Sequence, residues 1–347
     1  MTEPKPATST VHRYTLPLTD PTAAGDTGAL REGALLELRD GEGRVGWGEA
    51  APLPGFSRES AADAVRQLAA LPGPGGTVEE PYPCVRYALE LARLSLRAAA
   101  SGEPLPRLLS PAPRETVELN ALISCGPEDA PAQARRLRED GYRAVKLKVG
   151  RLPVNEEAAL VRRLADELIG VSLRLDANRA WSLETAMAFA RGVADVSLEY
   201  VEEPLADPAL LPRFAEKSGL PVALDESLVR MPASSLADHG YASAVVLKPT
   251  LLGGLSRSLA LAARADDLGM KAIVSSAFES GVGTLGLVAL AAALPGGAPA
   301  GLDTYRRLGA DVLQPPLELG PELDVAKLFG VERALDSRRL EPVEAKP

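Results

Sequence analysis

Lys146 and Lys148, then Asp176, Glu202, Asp225 and Lys248, lie along the chain so that from Lys148 onward each follows the last by 23 to 28 residues, at or beside the end of a short apolar run. Alternation within those runs decides where the charges point. Successive side chains of a strand face opposite sides, and in a barrel of parallel strands the outward ones must be apolar because they meet helices. With Val145, Leu147 and Val149 outward, Lys146 and Lys148 point in; Val171, Leu173 and Leu175 leave Arg174 and Asp176 inside. The same parity places Asp225 inward after Val222 and Leu224, and Lys248 inward after Val245 and Leu247. An outward Val201 puts Glu202 in and Glu203 out, although parity and motif alone separate these two neighbours.

Three converging carboxylates repel one another and are pushed toward protonation unless a cation holds them. An all-oxygen ligand set favours Mg²⁺ over zinc, with Mn²⁺ as an alternative. Lysine, with an ordinary pKa of about 10.4, becomes a base when desolvated or placed beside another cation. Lys146 supplies such a neighbour to Lys148. Together these groups suit abstraction of a proton α to a carboxylate, with a lysine as general base and a cation holding the enediolate.

The elements that must carry these residues are legible as a change of pattern. Val11–Leu18, Ala34–Arg39 and Gly43–Ala50 read as an antiparallel meander, the last two joined at Asp40-Gly41-Glu42-Gly43, and helices follow at Ser57–Leu71, opened by a serine cap, and Pro83–Ala100. From Val117 short apolar strands alternate with helical segments. The eight strand candidates end with Val171–Asp176, Leu198–Val201, Val222–Leu224, Ala244–Leu247, Ala272–Val274 and Gly301–Asp303. The expected fold class is α/β, a (β/α)₈-type TIM barrel over residues 106–312 with an N-terminal α+β capping domain over 1–105, completed by the tail 313–347. A doubly wound open sheet is the competing architecture. In a barrel the inward charges would stand at the C-terminal strand ends, where active sites are built.

Composition removes other classes. The 347-residue chain carries 38 Lys plus Arg against 47 Asp plus Glu, net −9, which disfavours nucleic acid as a partner. Neither a signal peptide nor a run of about 18 apolar residues is evident, so a cytoplasmic protein without a membrane partner is expected. The two cysteines, Cys84 and Cys125, form no CxxC and read as small buried hydrophobes, and the two histidines sit beside no obvious nucleophile. Monomer and homo-oligomer both remain open. A Schiff-base aldolase using one lysine is a further possibility, opposed by the three inward carboxylates.

With these residues in place, the chain resembles the enolase superfamily, in the muconate-lactonizing branch with KxK on the second strand (Lys146-Leu147-Lys148) and one lysine on the sixth (Lys248). The matching stretches include GWGEAAPLPGF at 46–56, LRLDANRAW at 173–181, EEP at 202–204, LDESL at 224–228, LKPTLLGG at 247–254 and SSAFES at 275–280. Within that branch it is similar to the members that form o-succinylbenzoate. The resemblance implies that Asp176, Glu202 and Asp225 ligate Mg²⁺, that Lys148 is the base, and that Lys248 stabilises the intermediate from the opposite face. It implies a small-molecule carboxylate substrate, 2-succinyl-6-hydroxy-2,4-cyclohexadiene-1-carboxylate, losing water in a syn elimination within menaquinone biosynthesis. Ser275 would touch substrate, Lys146, Arg174 and Asn178 would support the site, and loops at 19–30 and 53–57 would close over the succinyl group. Racemisation of N-succinylamino acids is the alternative that the family also implies.

Overall fold

The computed structural model describes residues 4–19, 30–74 and 76–343. Strands Pro6–Pro17, Leu30–Asp40 and Val45–Ala50 form an antiparallel meander. The Asp40 carboxylate sets the tight turn between the last two by accepting the amides of Glu42 and Arg44. Helix Pro83–Ser101 lies on this sheet at a distance that glycine permits, for a Cβ on Gly48 would stand 1.9 Å from the Ala88 carbonyl oxygen. The other helix of this layer begins later than the serine at 57 suggested. It spans Ala61–Ala69, capped by a reciprocal Ser60–Asp63 box, while Ser57 Oγ accepts the Leu53 amide and shapes the preceding loop.

The tail returns to this sheet. Leu340–Pro342 pairs antiparallel with the first strand, Tyr14 opposite Leu340, giving the order tail, first, second, third strand. The segment between carries seven parallel strands, Asn120–Leu122, Ala144–Lys148, Ser172–Asp176, Tyr200–Glu202, Val222–Leu224, Ala242–Leu247 and Lys271–Val274, in sequential order. The expected eighth strand is reduced to bridges: Ala300 pairs with Leu119 and Gly301 with Ser275. Two small residues close the barrel there, and the chain turns directly into a short 3₁₀ segment, Asp303–Arg307.

Alternation in the strands sorts the barrel into two apolar environments. Val145, Leu147, Leu173, Leu175, Val201, Leu224, Val245 and Leu247 join the large core shared with the helices, whereas Tyr200, Ala223, Ala244, Val246 and Ile273 make a separate small cluster. Helix Gly281–Ala293 is buried over most of its surface, as befits a nearly continuous apolar sequence. Cys84 is buried, but Cys125 is exposed in the loop after the first barrel strand. Among the described residues no helix is long and apolar enough to cross a membrane.

Candidate active site

Parallel register brings the charged side chains into one layer. Lys148 stands opposite Asp176, Asp176 opposite Glu202, and Lys146 one step below opposite Arg174. Asp225 and Lys248 directly follow the fifth and sixth strands. Lys146 Nζ lies 2.9 Å from Asp176 Oδ2 and 2.7 Å from Glu202 Oε2, and Lys248 is paired with Asp225. Glu202 has no exposure at all.

Burial governs the electrostatics of this layer. Desolvation, reinforced by the charge of Asp176, pushes Glu202 up to about 8, and burial lifts Asp225 to about 6 against the pull of Lys248. Burial opposes the charge on Lys146, but Asp176 and Glu202 more than offset it and hold its pKa well above the usual lysine value. Lys148 differs. It makes no ion pair among the described residues, and burial lowers its pKa despite Asp176, helped by the charges of Lys146, Lys248 and Arg151.

The neighbouring Glu203 has a different job. Its carboxylate accepts the amides of Asp225 and Ser227 at 3.0 and 2.8 Å, the Ser227 hydroxyl and Arg179 Nε, and so fixes the turn that carries Asp225. Arg174 lies deeper and away from the cavity. It binds Glu199 at 2.6 Å, Asn120 Oδ1 at 2.9 Å and the Pro299 carbonyl at 2.7 Å, bracing the barrel beneath the site.

A cavity of about 190 Å³ opens on the layer, bordered by Lys146, Lys148, Asp176, Asn178, Lys248 and Ser275. Its apolar wall is Leu53 and Phe56 from the meander side and Phe278 from the turn after the seventh strand. The loop at 53–57 therefore supplies wall residues, while 20–29 of the other expected loop lie outside the described residues. Ser275 Oγ donates to the Gly301 carbonyl, and Asn178, held at φ 43°, reaches Glu226. Sequence reasoning gave no role to Asn120, Arg151, Asp303 or Thr304, which also border the cavity. Inward parity would have flagged Asn120; Arg151 stands on a turn and Asp303 and Thr304 in a 3₁₀ segment, where parity does not apply.

Two residues of the meander grip the turn behind Ser275 and were likewise missed. Arg31, only 2% exposed, gives all five guanidinium N–H groups to carbonyls: Ala51 and Pro52 on the loop side, Ala277 and Phe278 on the barrel side, and Glu32. Glu49 accepts the amides of Ser280 and Gly283 at 2.8 and 2.7 Å, and the hydroxyls of Ser280 and Tyr14, at the start of helix Gly281–Ala293. Carbonyls and amides of one turn are thus held by opposite charges from across the interface.

The donor set suits a hard divalent cation: three carboxylates in one layer, with Glu202 Oε1 buried and, among the described residues, lacking a hydrogen-bond partner. In the described geometry the lysines lie against these carboxylates, and among the described residues no three acidic, His or Cys side chains gather into a ligand cluster.

Comparison with known proteins agrees with this architecture. The family model described as enolase C-terminal domain-like matches residues 129–320, and that described as the MenC N-terminal domain matches 7–96. An o-succinylbenzoate synthase of Haemophilus influenzae is 31% identical over 316 residues, covering 88% of this chain and 92% of that protein. Among solved structures, the muconate lactonizing enzyme from Pseudomonas fluorescens superposes with a TM-score of 0.86 at 24% identity, over 97% of this chain and 98% of that one. An N-succinyl Arg/Lys racemase from Bacillus cereus reaches the same TM-score at 18% identity, over 98% and 100%.

Proposed function

This chain belongs to the enolase superfamily, and from that premise we propose that it converts 2-succinyl-6-hydroxy-2,4-cyclohexadiene-1-carboxylate to o-succinylbenzoate, the step expected in menaquinone biosynthesis. The observation that carries the reading is Lys148. Of the three cavity lysines it alone has no carboxylate partner among the described residues, and its pKa is lowered by burial. A lysine that more readily gives up its proton can take another from carbon.

Lys148, on the second strand, and Lys248, after the sixth, both border the cavity, and the proposed reaction has them act from opposite faces of the substrate. In the proposed reaction Lys148 Nζ removes the proton α to the ring carboxylate. The C–H electron pair becomes the new ring double bond, the C–O bond breaks, and Lys148 returns the proton to the departing hydroxyl, so that water leaves. Lys248, kept protonated by Asp225, presents positive charge from the other face. Asp176, Glu202 and Asp225 would hold a divalent cation, Mg²⁺ or Mn²⁺, which when bound supplies positive charge beside the substrate carboxylate. Leu53, Phe56 and Phe278 exclude water from the ring.

Purified protein incubated with the cyclohexadiene and Mg²⁺ is expected to yield the aromatic product, and a folded, metal-loaded sample without turnover would overturn the reading. The opposed lysines also favour a second activity, racemisation of N-succinylamino acids. Deuterium exchange at their α-carbon tests it, and no exchange excludes it.

A further inference from the structure

Among the cations bordering the cavity, one has no assigned partner. Lys146 and Lys248 are spoken for by carboxylates, and Lys148 must be neutral to act as a base. Arg151 remains. Its guanidinium makes no hydrogen bond or ion pair among the described residues, yet it borders the same cavity as Lys148 and Leu122.

The backbone that carries it is held in place. Gly150 has φ 83°, and a Cβ there would stand 2.4 Å from Ala180 Cβ, so only glycine turns the chain off the strand end at this point. Both amides of the turn, Gly150 and Arg151, are then bound at 2.8 and 3.1 Å by the buried carboxylate of Glu157, from the first turn of helix Val154–Glu167. A fixed backbone bearing an uncommitted planar cation at a cavity rim is suited to bidentate recognition of an anion.

The proposed substrate has two carboxylates. The ring carboxylate belongs at the lysine and carboxylate layer, whereas the other ends a flexible four-carbon side chain and finds no other uncommitted cation bordering the cavity. Resting on the o-succinylbenzoate reading, we propose that Arg151 binds the distal carboxylate of the succinyl chain, and that Glu157 positions Arg151 for it. Arg151 would thereby select succinyl-bearing substrates over those with an uncharged side chain.

Arg151 is exposed, so its replacement leaves the core untouched. The test compares Mg²⁺-loaded wild type with Arg151→Gln and Arg151→Lys, by steady-state kinetics and by calorimetry with two ligands. These are o-succinylbenzoate and 2-butyrylbenzoate, which keeps the ring carboxylate and ketone but lacks the terminal carboxylate. Arg151→Gln is expected to raise KM and weaken o-succinylbenzoate binding roughly tenfold, as for loss of a charge-assisted bond. Its kcat should change much less, its binding of 2-butyrylbenzoate should equal wild type, and Arg151→Lys should recover part of the loss. Unchanged o-succinylbenzoate binding in Arg151→Gln, or equal weakening of both ligands, overturns the assignment while leaving the reaction intact. Wild type that makes no o-succinylbenzoate removes the functional reading itself and this inference with it.

Discussion

Two buried polar regions lie within a few residues of each other and are built on opposite principles. In the strand-end layer, among the described residues, Glu202 keeps an oxygen with no hydrogen-bond partner, its pKa is pushed up to about 8, and Lys148 makes no ion pair. In the seam between meander and barrel, every Arg31 N–H is matched to a carbonyl, and Glu49 accepts four donors. Both sit in low dielectric, where a satisfied group rigidifies and an unsatisfied one stores free energy. In the proposed reading, the seam holds shape while the layer does the chemistry.

Replacements on either side test that division. Lys148→Ala is expected to lower the rate by about 10²- to 10⁴-fold, the range typical of a general base. Its denaturation midpoint should match wild type or rise, since a desolvated amine is removed; loss of folding would erase the contrast. Arg31→Met should do the reverse. Leaving five carbonyls without donors is expected to cost about 3–5 kcal/mol in a denaturant titration, comparable to breaking a buried charged network, and a neutral result would mean that the seam is not structural. Glu49→Gln keeps the shape but turns one acceptor into a donor facing other donors. It should cost about 1–3 kcal/mol and disturb the Ser275–Ser280 turn, raising KM more than it lowers kcat.

The same contrast explains what could be read from the sequence. The layer was legible because strand parity is local: one apolar residue on each side of Asp176 or Lys148 orients the charge between them. Glu202 and Glu203 were nearly indistinguishable, since a three-residue strand offers little parity, and the structure separates them: Glu202 meets Lys146, while Glu203 binds the amides of Asp225 and Ser227. The seam was invisible. Arg31 reads carbonyls of Ala277 and Phe278, more than two hundred residues away, and a carbonyl carries no residue identity. An eighth strand was expected at Gly301–Asp303, which follows the spacing of the others, but small residues at 300 and 301 need only bridge Leu119 and Ser275 to close the ring. Ser57 was expected as a helix cap because serine before an acidic residue signals one; Ser60 with Asp63 satisfies the reciprocal geometry better.

The pairing of Leu340–Pro342 with the first strand also sets an order of events during synthesis. Residues 6–17 leave the ribosome early, but the strand that covers their outer edge is made only after the whole barrel. Until then the meander presents an unpaired edge at His12–Tyr14, the kind of surface that recruits other chains. Ending the chain before Leu340 would leave that stretch of edge permanently open, so its cost would appear as aggregation during expression before it appeared as lost activity.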